Sequence, residues 1–406
     1  MRIGMMADLY KPHVSGVTNY LSLNKDYLER TGQDVFIFTF GDTGQDDGER
    51  NVIRSPGLPI TGTGLYFNLR YSREARSLLD TMDVLHVQHP FISGSLAVRY
   101  SRRKGIPVIF TNHTRYDLYA RSYMPIAGDL IGEPAIKVYL PSFCRSCDLV
   151  ISPSYGMKEV LSGMGVDVPI KVIPNGVEIS ALLDISRNGG LSDSLLRESL
   201  GFDPQDTVLI FTGRLSPEKN IPFLLRAFNG ARLAYPDVKL LIVGDGPERD
   251  NLEERIRLMG IGDSIRLTGL VPYGEIGRYL STADAFVTAS VTEVHPLSVI
   301  EAMAAGLPVL GIASPGISDT VEDGVTGYIV PDEDLAGFTA MMVRMLADSE
   351  ARRVMGTNAR EKAKKFAIEN TSRKLLDAYR EVVNISEKRP TNFWLRVGGY
   401  FKAGKK

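Results

Sequence analysis

Short apolar runs recur along the whole chain, each followed by a segment of helical period. RIGMMA (2–7), VFIFTF (35–40), VLHV (84–87), VIFT (108–111), LVIS (149–152) and KVIP (171–174) form a first series. VLIFTG (208–213), LLIVGDG (240–246), IRLTG (265–269), AFVTAS (285–290), PVLGI (308–312) and GYIV (327–330) form a second. Runs without polar alternation, bounded by Gly, Pro and Asn and spaced by helix-length segments, predict strands covered on both faces. That is the mark of doubly wound parallel sheets.

The two series meet across 184–206, whose Gly, Ser and Asp content reads as a linker. The expected architecture is two α/β domains, 1–183 and 207–370, facing each other across a cleft. The segment 371–387 is expected to be helical and to return to the first domain. Residues 388–406 form a distinct tail. Ligands of such sheets bind beyond the carboxyl ends of the strands, so the cleft is the expected site.

Composition narrows the function. A length of 406 residues allows two or three domains, and 44% hydrophobic with 23% charged residues is ordinary for a globular chain. A net charge of −1 speaks against a nucleic-acid partner. No apolar run approaches the roughly 20 residues that span a bilayer, and no leader is visible, so a cytoplasmic location is expected, with peripheral attachment to the inner face of a membrane as the variant. Cys144 and Cys147 lack the further ligands a zinc site needs and read as buried structural thiols.

The densest chemistry lies in SVTEVHPLSVIEAMAAGLPVL (290–310), where Glu293 and Glu301 stand eight residues apart across a turn that opens an apolar helix. Upstream, FTGRLSPEKN (211–220) puts Arg214 and Lys219 on the loop leaving a strand. Two cations suit a diphosphate, with Arg as a planar fork and Lys as a point charge. Two carboxylates suit sugar hydroxyls. A carboxylate at the position of Glu301 also serves as a helix-start partner. The N–H groups of His295, Leu297 and Ser298 would meet a phosphate at that helix start. Gly244 and Gly246 in GDGPERD read either as a close approach to a ligand or as a tight strand-to-helix turn.

In the first domain, HVSGVTNY (13–20) offers Ser15 and Gly16 at a helix start. NHTRYDLY (112–119) places His113 at a strand's carboxyl end, with Tyr116 and Tyr119 as acceptor-channel surfaces or helix packing. Asn175-Gly176 reads as a chain reversal. The Asp332-Glu333-Asp334 tripeptide reads as a helix cap rather than a metal site.

Together these motifs resemble the retaining glycosyltransferases of family 4, which have the GT-B fold. The resemblance covers G-R-L-x-x-x-K at 213–219, G-x-G-P at 244–247, G-x-V-P at 269–272, E-x7-E at 293–301, P-N-G-V at 174–177 and the site histidine at 113, in the family's order. It implies that Arg214 and Lys219 grip the donor diphosphate, Glu293 the sugar hydroxyls and Glu301 the ribose. It further implies His113 over the sugar, Gly16 beside phosphate and acceptor, and the base against the backbone around Val271. His295-Pro296-Leu297 replaces the family's Phe-Gly-Leu, and proline removes one N–H from the phosphate cradle. Ser15-Gly16 replaces paired glycines. The H-T-x-Y-x-x-Y spacing at 113–119 is similar to that of glucosyltransferases acting on diacylglycerol. The resemblance implies a UDP-sugar co-substrate and no metal or other cofactor.

The tail carries six basic residues and no acidic one, interleaved with Phe393, Trp394, Tyr400 and Phe401. This mix suits the surface of an anionic membrane, a disordered solvated tail, or aromatics packed back on the first domain.

Overall fold

The computed structural model describes residues 1–13, 15–44, 48–59, 66–118, 133–180, 182 and 191–387. In the first domain the strands are β1 (Arg2–Met6), β2 (Asp34–Phe40), β3 (Val52–Ser55), the short β4 (Leu58–Pro59) and β5 (Tyr66–Phe67), β6 (Val84–Val87), β7 (Val108–Thr111), β8 (Leu149–Ser152) and β9 (Ile170–Val172). All but β4 and β5 join one parallel sheet in the order β3-β2-β1-β6-β7-β8-β9. β4 and β5 pair antiparallel as a separate ribbon. The second domain holds β10 (Thr207–Thr212), β11 (Val238–Val243), β12 (Ile265–Leu267), β13 (Ala285–Thr288), β14 (Val309–Ile312) and β15 (Gly327–Val330), in the order β12-β11-β10-β13-β14-β15.

The helices α1 (Gly16–Arg30), α2 (Arg73–Leu79), α3 (Ile92–Lys104), α4 (Glu133–Cys144) and α5 (Tyr155–Gly163) connect the first sheet. Around the second stand α6 (Leu191–Ser199), α7 (Ile221–Arg232), α8 (Arg249–Met259), α9 (Ile276–Ser281), α10 (Leu297–Ala304), α11 (Pro315–Thr320), α12 (Leu335–Ala347) and α13 (Ser349–Ala363). Both faces of each sheet are covered, which is why the strands carry apolar residues at successive positions. One face of the first sheet buries Ile3, Met5 and Val35 against Leu21 and Leu28 of α1. The same cluster takes in Leu375 and Tyr379 of the last helix, α14 (Ile368–Glu387). The buried His86 pins that helix: its Nδ1 lies 2.6 Å from Tyr379 Oη, and its Nε2 lies 2.6 Å from Thr111 Oγ1. Ser372 Oγ adds a bond of 2.7 Å to Asn24 of α1.

The segment expected as a linker is different in part. Residues 191–199 form α6, whose Arg197 donates to the carbonyls of Thr282 at 2.9 Å and Asp206 at 2.6 Å. Leu195, Leu196 and Leu200 repeat at helical spacing, and this outweighs the Gly and Ser content just before them. Cys144 and Cys147 are buried free thiols at the end of α4. Burial pushes the Cys144 thiol up to about 12, so it stays protonated. Among the described residues, no helix is long and apolar enough to cross a membrane.

Candidate donor and acceptor site

The second domain gathers its polar groups where β10 and β13 lie side by side and send their loops to the same edge. After β10, Pro217–Lys219 make a single 3-10 turn that ends on Asn220 in the left-handed region, and α7 starts at once. The turn is held by Ser216 Oγ on Glu218 Oε1 at 2.5 Å and by Ser290 Oγ on the Glu218 carbonyl at 3.2 Å. The second bond ties the β10 loop to the β13 loop. Lys219 Nζ then meets Glu293 Oε1 at 2.7 Å, a pair with both side chains largely shielded. Arg214 extends into solvent from the same loop and forms no ion pair among the described residues.

Glu301 sits one turn inside α10 and is 6% exposed. Its Oε1 accepts from the Tyr273 hydroxyl at 2.8 Å. Burial pushes the carboxyl up to about 6, against the pull of that hydroxyl toward the ionised form. Its proton count therefore changes near neutral pH. The two glutamates thus have separate partners, one a cation and one a phenol. Tyr273 escaped the sequence reading because a loop aromatic carries no motif; its place immediately after G-x-V-P was the available signal.

α10 begins at Leu297 with Pro296 before it and no side-chain cap on its first N–H groups, the kind of helix start at which anions bind. Leu297 buries its side chain in the core while Ser298 is half-exposed. His295 is buried edge-on against Phe366 at 5.1 Å, and burial holds its imidazole down to about 3, hence neutral. Asn175 does more than reverse the chain. From the turn after β9 its Nδ2 donates to the His295 carbonyl at 3.1 Å, bridging the first domain to the loop that carries Glu293.

Gly244 has a reason other than ligand approach. A Cβ there would lie 1.9 Å from the Gly213 carbonyl oxygen, so the backbone that comes close is the protein's own. Gly244 N donates to Gly269 O at 3.1 Å, joining the loop to the one that holds Val271. Val271 is partly buried against the core beneath α10.

In the first domain, Ser15 caps α1 by accepting from Thr18 N at 3.2 Å. Gly16, the first residue of that helix, faces open space: a Cβ would meet nothing within 4 Å. His13, just before it, is a residue the sequence reading passed over. Burial, then the charges of Arg214 and His89, hold its imidazole below the usual range, which sets this loop opposite the second domain's arginine. His113 follows β7; its Nε2 lies 2.8 Å from Gln88 Oε1 and its ring is 4.6 Å from Tyr20. Gln88 Nε2 donates to the His86 carbonyl at 3.3 Å, so Oε1 accepts from His113, whose proton is on Nε2. Burial and the neighbouring His86 and His89 keep His113 neutral. Tyr116 is buried edge-on to Phe91 at 5.3 Å, which is packing. Tyr119 lies outside the described residues, as does the tail 388–406.

Residues 14–181 match the family model described as Glycosyltransferase Family 4, and residues 192–362 match the model described as Glycosyl transferases group 1. An alpha-monoglucosyldiacylglycerol synthase of Streptococcus pneumoniae is 32% identical over 94% of this chain and 86% of its own length. The chain belongs to glycosyltransferase family 4. A second alpha-monoglucosyldiacylglycerol synthase, from Acholeplasma laidlawii, is 27% identical over 96% of this chain and 99% of its own. The fold is GT-B: a sucrose-phosphate synthase from Thermosynechococcus elongatus superposes with a TM-score of 0.78 at 20% identity, covering 95% of this chain and 99% of that one. The Anabaena protein HepE, solved with UDP-glucose, superposes with a TM-score of 0.75 at 18% identity, covering 94% and 100%. This family-4 chain is thus a glycosyltransferase, with the two-sheet architecture expected from its strand pattern.

Proposed function

We propose that this glycosyltransferase moves glucose from UDP-glucose to a hydroxyl of diacylglycerol with retention of the α configuration. The observation that supports it most is the near full-length likeness to the two alpha-monoglucosyldiacylglycerol synthases. The Anabaena neighbour with UDP-glucose supports the choice of donor.

In this reading Arg214, Lys219 and the open start of α10 take the diphosphate. Glu293 accepts from the sugar hydroxyls, and the free oxygen of Glu301 accepts from the ribose. The bond from the sugar C1 to the phosphate oxygen breaks as a bond from C1 to the acceptor oxygen forms on the same face. The leaving phosphate oxygen takes the acceptor's proton. The protein contributes position and positive charge aimed at the leaving group. His113, neutral with Nε2–H directed to Gln88, is a positional wall beside the sugar and holds no proton for transfer from that nitrogen.

The reaction needs no metal in this proposal, because the two cations and the helix start carry the countercharge. The acidic tripeptide has structural work of its own: Asp334 Oδ1 accepts from Gly337 N at 2.7 Å and caps α12. A lipid acceptor calls for a membrane surface, and two features favour an anionic one. One is the basic aromatic tail; the other is a first-domain face where the charges of Arg76, Arg70 and Arg103, offset in part by Asp80, act on the Tyr100 hydroxyl.

The test is incubation of the protein with a panel of nucleotide-sugars and a lipid extract, read by mass. A hexosyl-diacylglycerol formed from UDP-glucose supports the proposal. Turnover of soluble acceptors alone contradicts it.

A further inference from the structure

One contact between the domains has a chemistry that nucleotide binding does not require. Ser154 caps α5, its hydroxyl accepting from Met157 N at 3.2 Å, and this leaves the first two N–H groups of the helix for an outside partner. That partner comes from the other domain. Oδ2 of Asp319, on α11, accepts from Tyr155 N and, at 3.1 Å, from Gly156 N. A carboxylate on a helix start makes charge-assisted bonds and faces the positive end of the helix dipole.

The other end of α11 reaches the donor site. Gly316 N donates to the Glu293 carbonyl at 2.8 Å. Gly316 also lies so close to the next residue that a Cβ would stand 2.5 Å from the Val294 carbonyl carbon. Between these ends α11 has little freedom: Ile317 is fully buried, and Thr320 Oγ1 donates to the Gly316 carbonyl at 2.7 Å. One short helix therefore connects the start of α5 in the first domain to the backbone of Glu293, whose carboxylate holds Lys219.

We propose that Asp319 is a positioning residue for the transfer. Its bond to α5 stabilises the arrangement in which the first domain stands over Glu293 and Lys219, so it raises the reactive fraction of enzyme without touching the nucleotide. The inference rests on the donor-site reading above.

The test compares Asp319→Ala, Asp319→Asn, Tyr155→Pro and the Asp319→Ala/Tyr155→Pro pair. Proline is tolerated at a first helical position and lacks the N–H, so Tyr155→Pro removes one donor from the first-domain side with α5 intact. UDP affinity is read by calorimetry, turnover with UDP-glucose and diacylglycerol, and the radius of gyration by solution scattering. Asp319→Ala should lower kcat about tenfold and enlarge the radius of gyration, with UDP affinity unchanged within about twofold. Asp319→Asn, which keeps an acceptor oxygen, should retain most of the turnover. The double variant should be no worse than Asp319→Ala alone, because that change already removes both bonds, including the one that Tyr155→Pro removes. If Asp319→Ala does not fold, Tyr155→Pro tests the contact from the other side, with a smaller loss of kcat in the same direction, because the Gly156 bond remains.

UDP affinity lost in step with kcat would overturn the proposal, since Asp319 would then only support the donor domain. Unchanged kcat and radius of gyration, or additive effects in the double variant, would overturn it too. If the wild type does not use UDP-glucose, the substrate reading fails by itself, and UDP affinity and radius of gyration still decide the role of Asp319.

Discussion

Lys219 and Glu293 neutralise each other at 2.7 Å, so each sets the charge the other presents to a ligand. In the proposed reading, removing Lys219 takes a contact from the diphosphate; it also leaves Glu293 without its cation. Lys219→Ala and Arg214→Ala should each cost about 2–4 kcal/mol in kcat/KM, with little change in melting temperature. Near-normal turnover in both would remove the diphosphate role. Tyr273 supports Glu301 through one hydrogen bond, so Tyr273→Phe should weaken UDP binding by about 1 kcal/mol, read by calorimetry. Glu301 also makes stability depend on pH. Its folded pKa, about 6, lies above the ordinary glutamate value, so between the two values the native state holds more protons than the unfolded chain. Stability is then highest below the lower value and declines as pH rises to about 6, by roughly 2 kcal/mol. Glu301→Gln should abolish this decline in denaturant titrations at pH 4.5 and pH 7; an equal decline in the variant would place the titration elsewhere.

At the scale of elements, the twelve apolar runs all appear as strands in two sheets, because a strand buried on both faces leaves an unbroken apolar signature. The elements that escaped have weaker patterns. β3 (VIRS) is an edge strand with a charge inside it, and β4 and β5 have two residues each. α6 hid behind Gly- and Ser-rich neighbours. The site was legible as residue types on strand-end loops; their partners were not. The pairing of Lys219 with Glu293 depends on β10 lying beside β13, and the Asn175 bridge depends on how two domains meet, neither of which is a local property. The opposite lesson comes from Gly244, where a motif glycine serves loop against loop. Gly244→Ala should lower stability on the order of 3 kcal/mol through the clash with Gly213, measured as a shift in denaturant midpoint, and an unchanged midpoint would contradict the packing account.

For the whole molecule, the question is whether a lipid acceptor is met at a surface. The segment 388–406 carries no acidic residue, so its attraction to anionic lipid should be strong at low salt and screened at high salt. Vesicles of anionic and zwitterionic lipid should sediment the full chain more than a chain ending at 387, and the difference should shrink in salt. Equal sedimentation would remove the tail from the account and leave the basic face of the first domain as the remaining contact. The central claim is the transfer itself. The most direct measurement is proton NMR of the lipid product formed from UDP-glucose and diacylglycerol, read at the anomeric position. The account predicts a single glucosyl-diacylglycerol with the small coupling of an α linkage; a β-linked product, or UDP release with no glycolipid formed, would contradict it.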